Sequence, residues 1–154
     1  MKLRIIAMEI ISKIIRSIRM KSHQLQGYAN IDKSVILESR LVLDKVYPQG
    51  IHIGENSLIA SGTTILCHEH VKRDPIDPRN PWVTDTYIGK NCFIGVGSMI
   101  LPGVRIGDEV IVGAATVVTK DVPSNSIVVG NPGRILDRKI SMNSHAVLSE
   151  FDQN

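Results

Sequence analysis

The chain has 154 residues, which suits one domain and leaves little room for a second. Its hydrophobic fraction of 43% supports a buried core, but aromatics reach only 4%, so that core must be built from branched aliphatics, a bias toward β-structure and away from a helical bundle. A formal net charge of +3, with no zinc-finger, RNP or helix-turn-helix pattern, excludes a dedicated nucleic-acid surface.

Residues 2–20 read as an amphipathic helix. At about 100° per residue, Leu3, Met8, Ile11, Ile14, Ile15 and Ile18 share one side, and Lys2, Glu9, Lys13, Arg16 and Arg19 share the other. Glu9, Lys13 and Arg16 break the apolar run and no small-residue cleavage site follows, so no secretory signal is expected. No stretch of about 18 apolar residues occurs that could span a membrane. The helix has two uses open to it: docking on the end of the domain or on a neighbour, or lying on a membrane surface through its basic side. Gly27 is the expected stop.

From Ile31 onward the pattern changes to a period of six. Aliphatics recur at Ile31, Leu37 and Leu43, then at Ile53, Ile59 and Ile65, then at Ile88, Ile94, Ile100, Ile106, Val112 and Val118. The following position is small or acidic in most repeats, as at Asp44, Gly54, Gly89, Gly95 and Gly107. A second inward position, four residues on, carries Val35, Ser57, Thr63, Cys92, Ser98, Val104, Val110, Thr116 or Val122. This period fits neither a helix nor an alternating strand, but it fits a short strand plus a tight corner, stacked as a solenoid. Three such sides close one triangular coil, so Ile88 should lie under Ile106, Ile94 under Val112 and Ile100 under Val118. The fold expected is all-β, a parallel β-helix.

Two segments break the register. Between Leu43 and Ile53, Tyr47, Pro48 and Gly50 mark a small bulge. Between His70 and Ile88, the charged, proline-containing VKRDPIDPRNPWVTDTY must loop out of the coil, and such a loop is more often functional than decorative. The sequence therefore divides into an N-terminal helix and linker (1–26), a solenoid domain (27–136) with its loop at 71–87, and a tail (137–154).

Cys67 and Cys92 have no zinc spacing and are expected to be reduced thiols of a cytoplasmic protein. No histidine occurs between His70 and His145, so the pair in LCHEHV lacks the partners of a catalytic zinc site, and no metal is expected.

The six-residue register, the histidine pair ahead of an extruded loop, and the run IGKNCFIGVGSMILPGVRIGDEVIVGAATVVTKDVPSNSIVVGNPGRI resemble the hexapeptide-repeat O-acetyltransferases, over about residues 31–136. The branch resembled is that of maltose and galactoside acetyltransferases and of acetyltransferases that decorate surface polysaccharides. The resemblance implies a left-handed β-helix, a homotrimer with sites between subunits, acetyl-coenzyme A as co-substrate, and a sugar or glycan acceptor. Its location would be cytoplasmic, at most peripheral to the inner membrane face.

Moving an acetyl group to a hydroxyl needs a base, and histidine, with an unperturbed pKa near 6.5, suits the task. In the repeat that starts at Ile65, His70 occupies the family's catalytic phase at the corner before the loop, and a one-residue bulge would give the role to His68. Glu55, Glu69, Asp74, Asp77 and Asp85 are the carboxylates that could orient the ring. Backbone N–H groups between Ile94 and Ser98 are the expected oxyanion donors, with Gly95 and Gly97 allowing close approach. Ala114 and Ala115 match the family's pantetheine-binding pattern, and Thr119, Lys120 and Arg134 its nucleotide-phosphate residues. Val96 stands where a serine is common, and a further family arginine would fall near Asp137, with Arg138 one residue off. Trp82 either closes the loop's own small core or packs against acceptor or cofactor, and Trp82 and Asp85 are the candidate substrate residues of the loop, with acceptor contacts expected in 71–87 and around Asp44–Ile53.

The function expected is acetyl-coenzyme A-dependent O-acetylation of a sugar hydroxyl in surface-polysaccharide synthesis. Serine acetyltransferase, amino-sugar N-acetyltransferase and a non-catalytic solenoid scaffold are the alternatives. The first of these would need a larger helical N-terminal domain than residues 1–26 supply.

Overall fold

A computed structural model describes residues 27–143 and 146–149, together with Ile11 and Ile14. The helix expected at 2–20 lies outside the described residues, save Ile11 and Ile14, which are helical and exposed.

Between residues 31 and 129 the chain winds through three parallel sheets in turn. The first holds β3 (Ile51–Ile53), β8 (Thr86–Ile88) and β11 (Arg105–Ile106). The second holds β1 (Ile36–Leu37), β4 (Leu58–Ile59), β9 (Phe93–Ile94), β12 (Ile111–Val112) and β14 (Ser126–Val129). The third holds β2 (Val42–Leu43), β5 (Thr64–Ile65), β10 (Met99–Ile100) and β13 (Val117–Val118). Successive strands fall in successive sheets, which is the winding of a parallel β-helix.

The six-residue register is the register of the sheets. Ile88 pairs with Ile106, Ile94 with Val112, and Ile100 with Val118, each one coil apart. Ile59, Ile65, Ile94, Ile100 and Val112 are fully buried and form the axis of the core. The second inward positions are buried as well, polar ones included, because their hydroxyls cap corner carbonyls. Thus Ser98 Oγ donates to the carbonyls of Gly95 (2.7 Å) and Gly113 (3.0 Å), and Ser57 Oγ to that of Gly89 (2.8 Å). Both cysteines are free and buried, and burial raises the Cys92 thiol to about 11.

The first break is a 3-10 turn at Pro48–Gly50. The second is a hairpin, β6 (His68–Arg73) antiparallel to β7 (Pro81–Val83). It begins at His68 rather than after His70, because His68 already pairs with Val83 and Glu69 with Trp82. Thr84 closes the excursion by donating its N–H to the Cys67 carbonyl at 2.9 Å.

The stretch set apart as a tail beyond residue 136 is continuous with the fold. Strand β15 (Arg134–Lys139) crosses that boundary, antiparallel to β14. Ile140, Met142 and Ala146 then form a second apolar cluster with Leu58, Phe93, Ile111 and Ile127 from the outer face of the second sheet. Glu109 Oε2 helps to hold the segment by accepting the Met142 N–H at 2.8 Å.

Candidate active site

The site is built at the corner where the third sheet hands the chain to the first. Strand β2 ends at Leu43, which pairs with Ile65 of β5. Asp44 therefore lies one coil from the segment that leads to the histidines. Its side chain is fully buried, a costly place for a carboxylate unless donors surround it. They do: Oδ1 accepts the N–H groups of Val46 (2.8 Å) and Tyr47 (3.0 Å), and Oδ2 accepts that of Cys67 (2.6 Å). Oδ2 also meets His68 Nδ1 at 2.5 Å. Burial by itself would raise this carboxyl; the Cys67, Tyr47, His68 and Val46 donors outweigh it and hold the group below the usual range.

His68 thus donates Nδ1–H to Asp44 and keeps Nε2 free to accept a proton. His70, further along β6, is exposed. Its ring meets His68 edge-on with centroids 5.2 Å apart, and the Arg73 guanidinium lies 3.3 Å from its Nδ1. His70 is consequently in the arm strand and not at a coil corner.

None of the five carboxylates named as orienters touches either histidine. Glu69 pairs with Lys72 at 3.3 Å, Asp77 with Arg79 at 2.9 Å, and Glu55 with Lys90 at 2.9 Å. Asp74 accepts the N–H groups of Ile76 and Asp77 within its own loop. Asp85 does hold a histidine, but it is His52 of β3, with Oδ2 to Nε2 at 3.0 Å. In the six-residue register Asp44 reads as one more acidic corner residue. The available clue was its place one coil before the histidine pair, at the edge of a register break.

The expected cofactor residues fall on two different corners. Gly95, Gly97, Ala114 and Ala115 lie between the second and third sheets, one coil apart. Thr119 and Lys120 share the histidines' corner, between the third sheet and the first, and with Gly133 and Arg134 they line one surface concavity. The two glycines differ. A Cβ at Gly95 would stand 2.6 Å from the Ala114 nitrogen, so Gly95 is required by coil stacking. Gly97 has φ +67° with open space beside it, where a ligand can approach.

The oxyanion role expected of this corner meets a difficulty. Gly95 N–H donates to the Val112 carbonyl (2.8 Å), Gly97 N–H to that of Ser61 (3.0 Å) and Ser98 N–H to that of Gly95 (3.2 Å), so the solenoid has already used these donors. Trp82, on β7 opposite Glu69, is 38% exposed and so is not enclosed by a core of the hairpin's own.

Comparison with known proteins adds four findings. The family described as the hexapeptide repeat of succinyl-transferase matches residues 46–67 and 86–120. "Putative acetyltransferase YvoF" of Bacillus subtilis (strain 168) is 40% identical over 64% of this chain, which spans about half of that protein's length (54%). "Putative acetyltransferase SAS0727" of Staphylococcus aureus (strain MSSA476) is 42% identical over 79% of this chain and 73% of its own. Among solved structures, a maltose O-acetyltransferase from Clostridium difficile 630 aligns with a TM-score of 0.53 at 26% identity, over 82% of this chain and 86% of that one. With its six-residue register, stacked parallel sheets and these relatives, the chain belongs to the hexapeptide-repeat acetyltransferases, in the branch like the maltose and galactoside O-acetyltransferases.

Proposed function

We propose that this protein is an acetyl-coenzyme A-dependent O-acetyltransferase for a sugar hydroxyl in surface-polysaccharide synthesis, built on a left-handed β-helix and active as a homotrimer. The observation that carries this reading is the histidine pair at the hairpin root, backed by a buried carboxylate: His70 open to solvent, His68 against it, Asp44 behind His68. His70 is the general base, since it is the imidazole an acceptor can reach. It takes the proton of the acceptor hydroxyl as that oxygen attacks the thioester carbonyl. The tetrahedral adduct then collapses, the C–S bond breaks, and the imidazolium returns the proton to the departing thiolate.

Acetyl-coenzyme A lies with its pantetheine along Gly97, Ala114 and Ala115, and its phosphates near Thr119, Lys120 and Arg134. The separation of these groups onto two corners supports a site closed by two subunits, in which one chain supplies one corner and its neighbour the other. Trp82 and Asp85, on and beside the hairpin, face the acceptor.

Transfer from acetyl-coenzyme A should be assayed against a panel of sugars, maltose and galactosides first, with nucleotide sugars and amino sugars included. His70→Ala should abolish transfer while the oligomer survives; full activity in that variant would sink the assignment of the base. A second reading gives the base to His68. It is favoured by the Asp44 contact, which fixes the proton on Nδ1 and leaves Nε2 as acceptor, whereas Arg73 lies against Nδ1 of His70. Under it, His68→Ala is the variant that loses all turnover, and His70→Ala retains some.

A further inference from the structure

The outer face of the first sheet carries a ladder to which the proposed chemistry gives no task. His52, Tyr87 and Arg105 are cross-strand neighbours on β3, β8 and β11, one coil apart at each step. The His52 and Tyr87 rings are stacked, with centroids 4.3 Å apart and planes at 13°. The Arg105 guanidinium lies over the Tyr87 ring, 3.9 Å from its centroid. Asp85 Oδ2 accepts the Tyr87 hydroxyl at 3.0 Å and meets His52 Nε2 at 3.0 Å. Tyr87 is thus held by its hydroxyl and by its ring, and it seats a cation.

Arg105 is exposed, and its guanidinium makes no ion pair among the described residues. Lys72, Arg79 and Lys90, by contrast, each meet a carboxylate. Asp121 is close to Arg105 but engages its main chain: Oδ1 accepts the Arg105 N–H at 2.8 Å. The Val122 N–H in turn donates to the Arg105 carbonyl at 2.9 Å. Asp121 and Val122 line the concavity that holds Thr119, Lys120 and Arg134. Arg105 therefore borders that concavity, while its guanidinium reaches one coil back, toward Tyr87 and the root of the hairpin. Neighbouring coils are about 4.8 Å apart. In coenzyme A the pyrophosphate stands between the 3′-phosphoadenosine and the pantetheine. A cation one coil from the nucleotide concavity, on the way to the histidines, is where that pyrophosphate would fall.

We propose that Arg105 binds the pyrophosphate of coenzyme A, with Tyr87 as its positioning residue. This rests on the acetyltransferase reading above. A guanidinium lying on an aromatic ring is oriented before the ligand arrives, and its N–H edges stay open for bidentate contact with phosphate oxygens. Part of the ordering cost of binding is then already met. The family pattern that marks Thr119, Lys120 and Arg134 does not include Arg105, so this contact is a property of this chain's own ladder.

The test uses the full chain with Arg105→Ala, Arg105→Lys, Tyr87→Ala and the Arg105→Ala/Tyr87→Ala double variant. Coenzyme A and dephospho-coenzyme A, which share the pyrophosphate, are titrated by calorimetry. Pantetheine, which has no phosphate, is followed by ligand-observed NMR. Arg105→Ala should weaken both nucleotide ligands alike, about 5- to 20-fold, and leave pantetheine within about twofold. Arg105→Lys keeps the charge without the fork and should recover part of the loss. Tyr87→Ala should weaken both nucleotide ligands about threefold, the ordering cost of a freed side chain, and add nothing in the Arg105→Ala background. Unchanged affinity of Arg105→Ala for dephospho-coenzyme A overturns the pyrophosphate assignment, and so does an equal loss with pantetheine. Independent, additive effects of the two alanine substitutions overturn the seat. If the wild type binds coenzyme A and Lys120→Ala weakens it while Arg105→Ala does not, this inference alone fails. A wild type that binds no coenzyme A overturns the acetyltransferase reading and this inference with it.

Discussion

Asp44 and His68 stand 24 residues apart in sequence and meet across one coil, Oδ2 to Nδ1 at 2.5 Å. The contact is made possible by the parallel pairing of Leu43 with Ile65, which brings the residue after one strand beside the segment that follows the other. A carboxylate so buried acts as a fixed counter-charge with little room to reorganise, the condition under which it can hold an imidazole in one tautomer.

Replacing Asp44 by Asn keeps the shape but puts an amide donor where an acceptor is required. Placed at the Oδ2 position, the amide faces both the Cys67 N–H and His68 Nδ1–H; flipped, it faces the N–H groups of Val46 and Tyr47. Asp44→Asn should lower kcat by about 10- to 100-fold, on the scale seen for residues that orient an active-site histidine. It should also destabilise the fold by about 3 kcal/mol, because a buried hydrogen-bonded charge has lost its pairing. Urea unfolding and steady-state rates on the same preparation check both; unchanged turnover would show that His68 has no part in the reaction.

The same carboxylate sets an acid limit. Asp44 and Asp85 are both held below the ordinary Asp value of 3.8, Asp44 by the donors named above and Asp85, against its own burial, by the Tyr87, His52 and Tyr47 side chains. A group whose folded-state pKa is depressed stabilises the fold above its unfolded pKa, and that stabilisation is lost as pH falls through the folded value. The urea midpoint should therefore hold steady just above about pH 5 and decline below about pH 4. Asp85 is 34% exposed, so solvent screening leaves Asp44 the larger share. In Asp44→Asn the decline should be shallower; an equally steep curve would locate the acid sensitivity elsewhere.

Much of the fold was legible because a solenoid writes its geometry into a short period. Ile94 and Val112 are buried partners because each side of the coil repeats the same inward aliphatic. The site was less legible because it depends on the places where that period fails. His70 counts as a corner residue only if the coil continues to it, but antiparallel pairing of His68 with Val83 takes the chain out two residues earlier. Asp44 looked like the acidic residues at other corners, and its partner is set by a coil-to-coil step that the Tyr47–Gly50 bulge obscures. His52 drew no attention, as a polar residue on the outward side of a strand is the ordinary case; its pairing with Asp85 depends on the hairpin's return path. Lys120 and Arg134 were identified by resemblance, and they do share one concavity.

That concavity offers a direct binding test. Lys120 and Arg134 would each face phosphate at the nucleotide end of coenzyme A, where they act mainly as positive charges. Lys120→Ala and Arg134→Ala should each weaken coenzyme A binding about 5- to 20-fold by calorimetry, a loss of about 1–2 kcal/mol per charge-assisted contact. The wild-type affinity should fall with added salt, and the double variant should show a flatter salt dependence. Dephospho-coenzyme A, which lacks one phosphate, should bind the wild type more weakly and discriminate less between wild type and variants. Equal affinity of the double variant for coenzyme A would place the nucleotide elsewhere.

Gly95 and Gly97 sit two residues apart at one corner and should respond to alanine in opposite ways. At Gly95 the added methyl group would meet the Ala114 nitrogen at 2.6 Å and the Val112 carbonyl oxygen at 2.7 Å. Those are backbone atoms of the next coil and cannot swing aside, so the coils must part where Ile94 and Val112 are stacked. Gly95→Ala should cost several kcal/mol, on the order of 3, or fail to fold. Gly97 has φ +67° and nothing near its missing Cβ. Its counterpart one coil on is Ala115, which carries a methyl group at φ 55°, so the corner can accept alanine in that conformation. Gly97→Ala should therefore cost only about 1 kcal/mol in urea unfolding, the usual penalty for a side chain in left-handed backbone. Its effect should appear instead as weaker coenzyme A binding, since the new methyl group projects into the space assigned to pantetheine. Equal destabilisation by the two substitutions would refute this division of labour between a glycine that stacks coils and a glycine that admits a ligand.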